Sequence, residues 1–201
     1  MMEAKKAGGT TYRAAVKGDA PVIAALFRIS SDGVADYIWS GMASEYPGLT
    51  PLEIGAVRYS SEDGNFSYKN CVVAEREGEV VGLLCTFPIP KDAEPSDTSD
   101  PVMEPYERLE APGSFYICSL AVFDGCRGAG IGTEMLAAAR RQARDRGFDT
   151  LSLLVFEKNE GAVRLYGREG FRVAGRVAVV PHEKIHHTGD VLLMVASPDE
   201  E

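Results

Sequence analysis

The chain has 201 residues, 45% hydrophobic and 25% charged, which suits a folded protein whose core needs no disulfide or metal and excludes wholesale disorder. Twenty-one basic against 30 acidic residues leave a formal net charge of −9, a balance that disfavours nucleic acid and anionic membranes as partners and suits a cationic one. Met1–Arg13 has lysines but no apolar stretch behind them, and no apolar run approaches the ~18 residues of a membrane span. Cys71, Cys85, Cys118 and Cys126 lack close spacing and fall mostly in apolar, strand-like runs. They are expected as buried small hydrophobes, not as a disulfide framework or zinc cluster, and a reducing cytoplasm is the expected compartment.

Thr11–Val16 reads as a first strand. Asp19 and Pro21 look like the cap and first-turn proline of a helix running through Ala24, Ala25, Leu26 and Ile29. A second helix is expected over Val34–Met42, followed by a stretch to Tyr68 punctuated by Gly, Pro and Ser. Cys71–Ala74 and Val80–Thr86 flank the charged turn Arg76–Glu79 and predict a hairpin. Pro88–Pro112 is the one composition shift, with six of the eleven prolines and seven carboxylates: Asp92, Glu94, Asp97, Asp100, Glu104, Glu107 and Glu110. It predicts a surface excursion with a short helix near Met103–Leu109, or an acidic wall beside a site for a cation.

Phe115–Phe123 is nearly continuous in apolar residues and reads as a strand buried on both faces. A helix follows from about Gly130 to Arg146, with Ile131, Met135, Leu136, Ala139 and Ala143 at helical spacing. Arg140, Arg141, Arg144 and Arg146 crowd its C-terminal half, where the helix dipole favours cations, and Gly147 ends it. Leu151–Phe156 is a second buried strand, Glu160–Glu169 a short helix, and Phe171–Val180 and Asp190–Ala196 two antiparallel strands. This order predicts one α/β domain over 1–201, with residues 1–10 flexible and 88–113 an acidic, Pro-rich insertion.

Between the Phe115 strand and its helix lies Arg127-Gly128-Ala129-Gly130-Ile131-Gly132-Thr133. Alternate glycines bare one side of this turn, so backbone can approach a ligand closely where the helix dipole is positive. Each hydrogen bond to a charged oxygen contributes roughly 1.5–3 kcal/mol, so three or four hold a pyrophosphate despite the acidic chain. A dinucleotide fingerprint fails at Thr133, where its third glycine belongs, and a P-loop fails because Ile131-Gly132 replaces its lysine and hydroxyl residue. A tight turn without a ligand is the remaining alternative.

Arg127-x-x-Gly130-x-Gly132 after Ser119-Leu-Ala-Val122 resembles the acyl-CoA-binding loop of the GNAT superfamily of N-acetyltransferases, and Asn159-Glu-Gly-Ala162-Val-Arg-Leu-Tyr166-Gly-Arg-Glu-Gly170-Phe171 resembles that superfamily's helix after the fifth strand. The likeness runs from about Tyr116 to Ala174. It implies a mixed, mostly antiparallel sheet of six or seven strands flanked by helices, with a β-α-β unit for acyl-CoA. It implies acetyl-CoA as cosubstrate and no metal. It further implies that Leu120, Ala121 and Val122 pair with the pantetheine arm where two parallel strands part, while Arg127, Gly128, Ala129, Gly130, Ile131, Gly132 and Thr133 hold the pyrophosphate. Asn159 and Tyr166, two helical turns and about 10 Å apart, would hold the arm's amide and the thioester sulfur, with Tyr166 as the acid for the departing thiolate.

The acceptor is expected to be an amine, of a small molecule or a peptide, delivered without an acetyl-enzyme; a homodimer is a further implication of the resemblance. Where many family members carry a carboxylate, no Asp or Glu stands between Ser114 and Phe123. Tyr116, Ser119 and Glu157 are left as candidates for a water relay, and a catalytically weak acyl-CoA sensor or regulatory module is the alternative function. His182-Glu183-Lys184-Ile185-His186, with His187 beside it, matches a zinc-peptidase pattern. That pattern needs a helix and a third downstream ligand, whereas the segment reads as a strand connection bordering the acceptor pocket or an ordinary turn.

Overall fold

The computed structural model describes residues 9–93 and 99–199. They form β1 (Thr10–Ala14), α1 (Ala20–Ser30), α2 (Val34–Gly41), α3 (Pro51–Tyr59), β2 (Cys71–Arg76), β3 (Glu79–Pro88) and α4 (Glu104–Glu107). There follow β4 (Phe115–Val122), α5 (Ile131–Asp145), β5 (Leu151–Phe156), α6 (Glu160–Arg168), β6 (Arg172–Ala178) and β7 (Asp190–Ala196). The strands are hydrogen-bonded in the order β1-β2-β3-β4-β5-β7-β6. β4 and β5 run parallel, whereas β1–β2, β2–β3, β5–β7 and β6–β7 are antiparallel, so the fold is α/β with the mixed, mostly antiparallel sheet expected. Its residues gather into two compact units. One runs from the start of the described chain to Thr86 and includes Ser119–Met135; the other holds Phe87–Cys118 and the chain from Leu136 onward.

In the first unit the aromatic rings of α1, α2, α3 and the following loop pack on one another. Phe27 lies 5.9 Å from Trp39, 5.4 Å from Tyr59 and 6.2 Å from Phe66 between ring centroids, distances at which aromatic pairs contribute beyond their buried area. α3 fills the stretch that the sequence presented only as punctuated. Its start is a capping box: Thr50 accepts from the Glu53 N–H, Glu53 accepts from the Thr50 N–H at 2.7 Å, and Pro51 opens the first turn. The Thr50-Pro51-x-Glu53 spacing was the available signal. Asp19 stands at the N-cap position of α1, as expected, with Pro21 in the first turn, but its side chain makes no capping bond. Its carboxylate accepts from the Val16 N–H at 2.8 Å and pairs with Arg13 at 2.7 Å, within a 3-10 turn that precedes the helix.

In the second unit β7 inserts between β5 and β6, in continuous register with β5 and with a shift between Val173 and Gly175 against β6, and β5 is buried along nearly its whole length. The ends of the 88–113 segment are tied together: Ile89 donates to the Ser114 carbonyl at 2.9 Å, and Gly113 donates to the Ile89 carbonyl at 3.0 Å. Val102, Pro105 and Leu109 are buried, and the Tyr106 ring meets Phe156 edge-on at 6.1 Å. The helix is shorter than expected, four residues, because the chain turns away after Glu107; Glu94 and Asp97 lie outside the described residues.

A Cβ on Gly55 would stand 2.5 Å from the Trp39 ring. Alanine is ordinarily about 1 kcal/mol better than glycine inside a helix, but overpacking of this kind costs about 1–3 kcal/mol. Gly55→Ala is therefore expected to lower the urea midpoint, and a raised midpoint would show that Trp39 yields. Arg13 holds the Asp19 carboxyl below the usual carboxylate range, chiefly through their hydrogen bond. A carboxyl lowered in the fold stabilises above its unfolded pKa of about 3.9 and loses that contribution as pH falls through the folded value. Arg13→Leu should thus be less stable than the parent at pH 7, with the difference shrinking as pH falls below the unfolded value and through the lowered folded-state value of Asp19, as followed by urea titrations across pH.

Candidate functional site

The glycine-rich turn lies in the first unit. Gly128 and Gly130 have φ of +76° and +79°, and a Cβ built on either meets nothing within 4 Å. Their glycines answer to backbone conformation, since a left-handed residue other than glycine costs roughly 1–2 kcal/mol. Arg127 through Gly130 are exposed. The Glu134 N–H donates to the Gly130 carbonyl at 3.1 Å, the first bond of the α5 ladder. The amides of Ile131 and Gly132 come before that ladder begins and point out of the positive end of the helix.

Two contacts fix the turn. Arg127 Nε donates to the Val122 carbonyl at 3.0 Å and its Nη2 lies 3.0 Å from Asp124 Oδ1, so its guanidinium latches the turn to the end of β4. The missing side chain of Gly82 on β3 admits Met135 of α5; a Cβ there would press on the Met135 methyl and the Ala121 carbonyl, both at 3.2 Å. The start of α5 is thereby held close against the strands that precede it.

β4 and β5 pair in register only from Phe115↔Leu151 to Ile117↔Leu153, although β4 continues to Val122 and β5 to Phe156. Ser119, Leu120, Ala121 and Val122 therefore lie beyond the end of that ladder. β4 alternates along its length, with Phe115, Ile117, Ser119 and Ala121 buried and Tyr116, Cys118, Leu120 and Val122 only half-buried. The expectation of a strand buried on both faces is corrected: its second face is partly open.

Asn159 and Tyr166 belong to the second unit. Asn159 caps α6, its side-chain oxygen accepting from the Ala162 N–H at 3.3 Å. Tyr166 is buried, its ring 5.8 Å from that of Phe171, whose N–H donates to the Tyr166 carbonyl.

Residues 38–171 match the family model described as Acetyltransferase (GNAT) family. The chain belongs to this family. It shares its fold with an N-acetyltransferase from Staphylococcus aureus Mu50, with a TM-score of 0.64 at 17% identity over 92% of this chain and 99% of that one. It is similarly close to a GCN5-related N-acetyltransferase from Kribbella flavida, with a TM-score of 0.62 at 22% identity over 96% and 99%. In sequence it is 35% identical over 104 residues to a mycothiol acetyltransferase of Parafrankia sp. (strain EAN1pec), a match spanning half of this chain and 30% of that protein.

Against that family background the three relay candidates differ. Ser119 is buried, with its hydroxyl 2.7 Å from that of Ser30, which in turn donates to the Phe27 carbonyl at 3.0 Å. A proton passed along this pair ends on a carbonyl oxygen, so the chain leads nowhere. Tyr116 meets the Phe87 ring at 5.4 Å. Glu157 is exposed and paired with Arg176 at 3.3 Å. The histidine segment is not helical: Lys184 donates to His182 Nδ1 at 3.2 Å, Ile185 donates to the His182 carbonyl, and His187 stacks on Phe156 at 4.7 Å. The shared helical face that the zinc-peptidase pattern requires is missing from it.

Sequence reasoning placed the arginines of α5 by the helix dipole and missed their partners. Arg140 is buried, donates to the Ser197 and Glu169 carbonyls and lies over the Phe171 ring, while Arg144 donates to the Pro198 carbonyl at 2.6 Å. Arg140 thus ties the end of α6 to the chain after β7. Arg140→Met, which keeps the length and loses the donors, is expected to destabilise by about 3 kcal/mol in chemical denaturation. A change below about 0.5 kcal/mol would show the clamp to be idle.

Proposed function

We propose that the chain moves the acetyl group of acetyl-CoA directly to an amine within a ternary complex. The observation that carries this reading is the turn Arg127–Thr133, exposed from Arg127 to Gly130, whose left-handed glycines deliver the chain into the start of α5. Such a turn fits a diphosphate: hydrogen-bond donors converge on it, no Cβ intrudes at Gly128 or Gly130, and the helix dipole adds positive potential. Acetyl-CoA supplies an activated thioester. Gly128 to Thr133 would hold its pyrophosphate, with Arg127 bracing the turn from Val122.

Leu120, Ala121 and Val122, past the end of the β4–β5 ladder, offer backbone groups that an extended amide-bearing arm satisfies as an added strand does. Asn159 would bind the arm's amide with its side-chain N–H₂, leaving the side-chain oxygen on its capping bond. Tyr166 would donate a proton to the departing thiolate. A phenol with an ordinary pKa of about 10 is a protonated donor at neutral pH. The acceptor must arrive or become neutral, which for an amine of pKa about 10.4 costs about 4–5 kcal/mol at pH 7. A cationic acceptor is supported by the net charge of −9 and by the carboxylates of the 88–113 segment. There, burial and then Glu107 raise the Glu110 carboxyl.

The absence of an Asp or Glu on β4 favours one second reading, a sensor that binds acetyl-CoA without turnover. Free-thiol release from acetyl-CoA, measured over a panel of polyamines, amino acids and peptide N-termini, separates the two: the transferase releases CoA with some amine, and the sensor with none. Gly130→Glu puts a negative charge on the turn at a strained φ and is expected to abolish acetyl-CoA binding by calorimetry. Tyr166→Phe should reduce kcat at least tenfold with acetyl-CoA affinity within twofold. Unchanged affinity in the first or unchanged kcat in the second removes that residue from its role.

A further inference from the structure

Cys71 opens β2 and stands directly opposite Cys85 of β3 in the antiparallel register. Residues directly opposed across two strands share a face of the sheet. The Ala15 N–H donates to the Cys71 carbonyl at 3.0 Å and the Cys71 N–H donates to the Tyr68 carbonyl, so the Cys71 carbonyl faces β1, away from β3. The Cys71–Cys85 pair is therefore of the narrow, non-hydrogen-bonded kind, in which opposed Cα atoms lie about 4.5 Å apart. A disulfide spans roughly 4.4–6.8 Å between Cα atoms. Both side chains are buried thiols, and the Cys71 S–H donates to the Ser67 carbonyl at 3.5 Å. Cys118 and Cys126 are only half-buried.

We propose that Cys71 and Cys85 form a reversible disulfide on exposure to a low-molecular-weight disulfide. One cysteine thiolate attacks the reagent's S–S bond, forming a mixed disulfide and expelling one thiolate. The second cysteine thiolate then attacks the protein sulfur of that mixed disulfide, closing the Cys71–Cys85 bond and expelling the other. The two protein thiols lose two electrons and two protons, and one reagent disulfide becomes two thiols. The bond closes the hairpin at the end opposite its Arg76–Glu79 turn, so the paired strands of β2 and β3 are stapled at both ends. This sequence-distant pair escaped the spacing argument because its proximity comes from the hairpin register.

The test incubates the full chain with oxidised glutathione, both natively and during refolding from the reduced, denatured state, since the sulfurs are buried in the fold. Of the four cysteines, two are expected to remain titratable under denaturing conditions after the reaction, and dithiothreitol restores all four. Trypsin digestion without reductant should link peptide Asn70–Arg76 to peptide Glu77–Lys91. Cys118→Ala/Cys126→Ala should give the same linked pair, and Cys71→Ala or Cys85→Ala should lose it. Four titratable thiols after both treatments, or a linked peptide containing Cys118 or Cys126, would overturn the proposal.

Discussion

Delivering the chain from a strand into a helix through two left-handed glycines is the constraint on which the candidate site depends. At Gly128 and Gly130 any other residue carries a backbone penalty of roughly 1–2 kcal/mol, and the turn they permit leaves the leading amides of α5 clear of the helix's own hydrogen bonds. The turn is then held from its two sides. Arg127 binds back to the Val122 carbonyl, and Met135 seats against the bare Cα of Gly82. Backbone amides at such a helix start carry the proposed anion site, and an anion site built from backbone needs no excess of basic side chains on so acidic a chain.

The arginines of α5 show the same division of labour. Four cations in one half-helix invite a reading as an anion site. Arg140 and Arg144 instead direct their donors at the carbonyls of Glu169, Ser197 and Pro198, and Arg146 lies 5.3 Å from the Phe115 ring. A guanidinium with several donors in a fixed fork can reach carbonyls of two different segments at once, here the end of α6 and the chain after β7. These arginines are structural, and their placement at the helix C-terminus gains from the dipole as well.

Elements whose signal is local were legible in the sequence. β5 and β7 have the bounds expected from their apolar runs, and α5 begins within a residue of its last loop glycine. What escaped depends on partners distant in the chain. Asp19 has the spacing of a helix cap, but Arg13 and the Val16 amide draw its carboxylate away. β4 reads as apolar throughout, yet one of its faces is half-open, because composition does not report which face a neighbour covers. α3 is the exception: its Thr50–Glu53 box is local and was hidden by the surrounding glycines and serines. The glycine turn and the Asn159–Tyr166 helix were the readable parts of the candidate site, since a backbone conformation and a helical spacing both leave marks in sequence. A proton route leaves none.

That route is where the strand geometry bears hardest on the chemistry. The half-open face of β4 offers Tyr116, Cys118, Leu120 and Val122, and no carboxylate. The buried face offers Ser119, whose hydroxyl feeds Ser30 and through it a carbonyl that accepts no proton. A phenol or a serine hydroxyl with an ordinary pKa takes a proton from an ammonium of pKa near 10.4 only uphill or at best evenly. The strand itself therefore does not supply the driving force for deprotonation. Glu157, just past β5, is the one carboxylate among the three relay candidates, and it is engaged by Arg176 on β6. An acceptor whose amine is already substantially neutral at working pH makes the smallest demand on such a site.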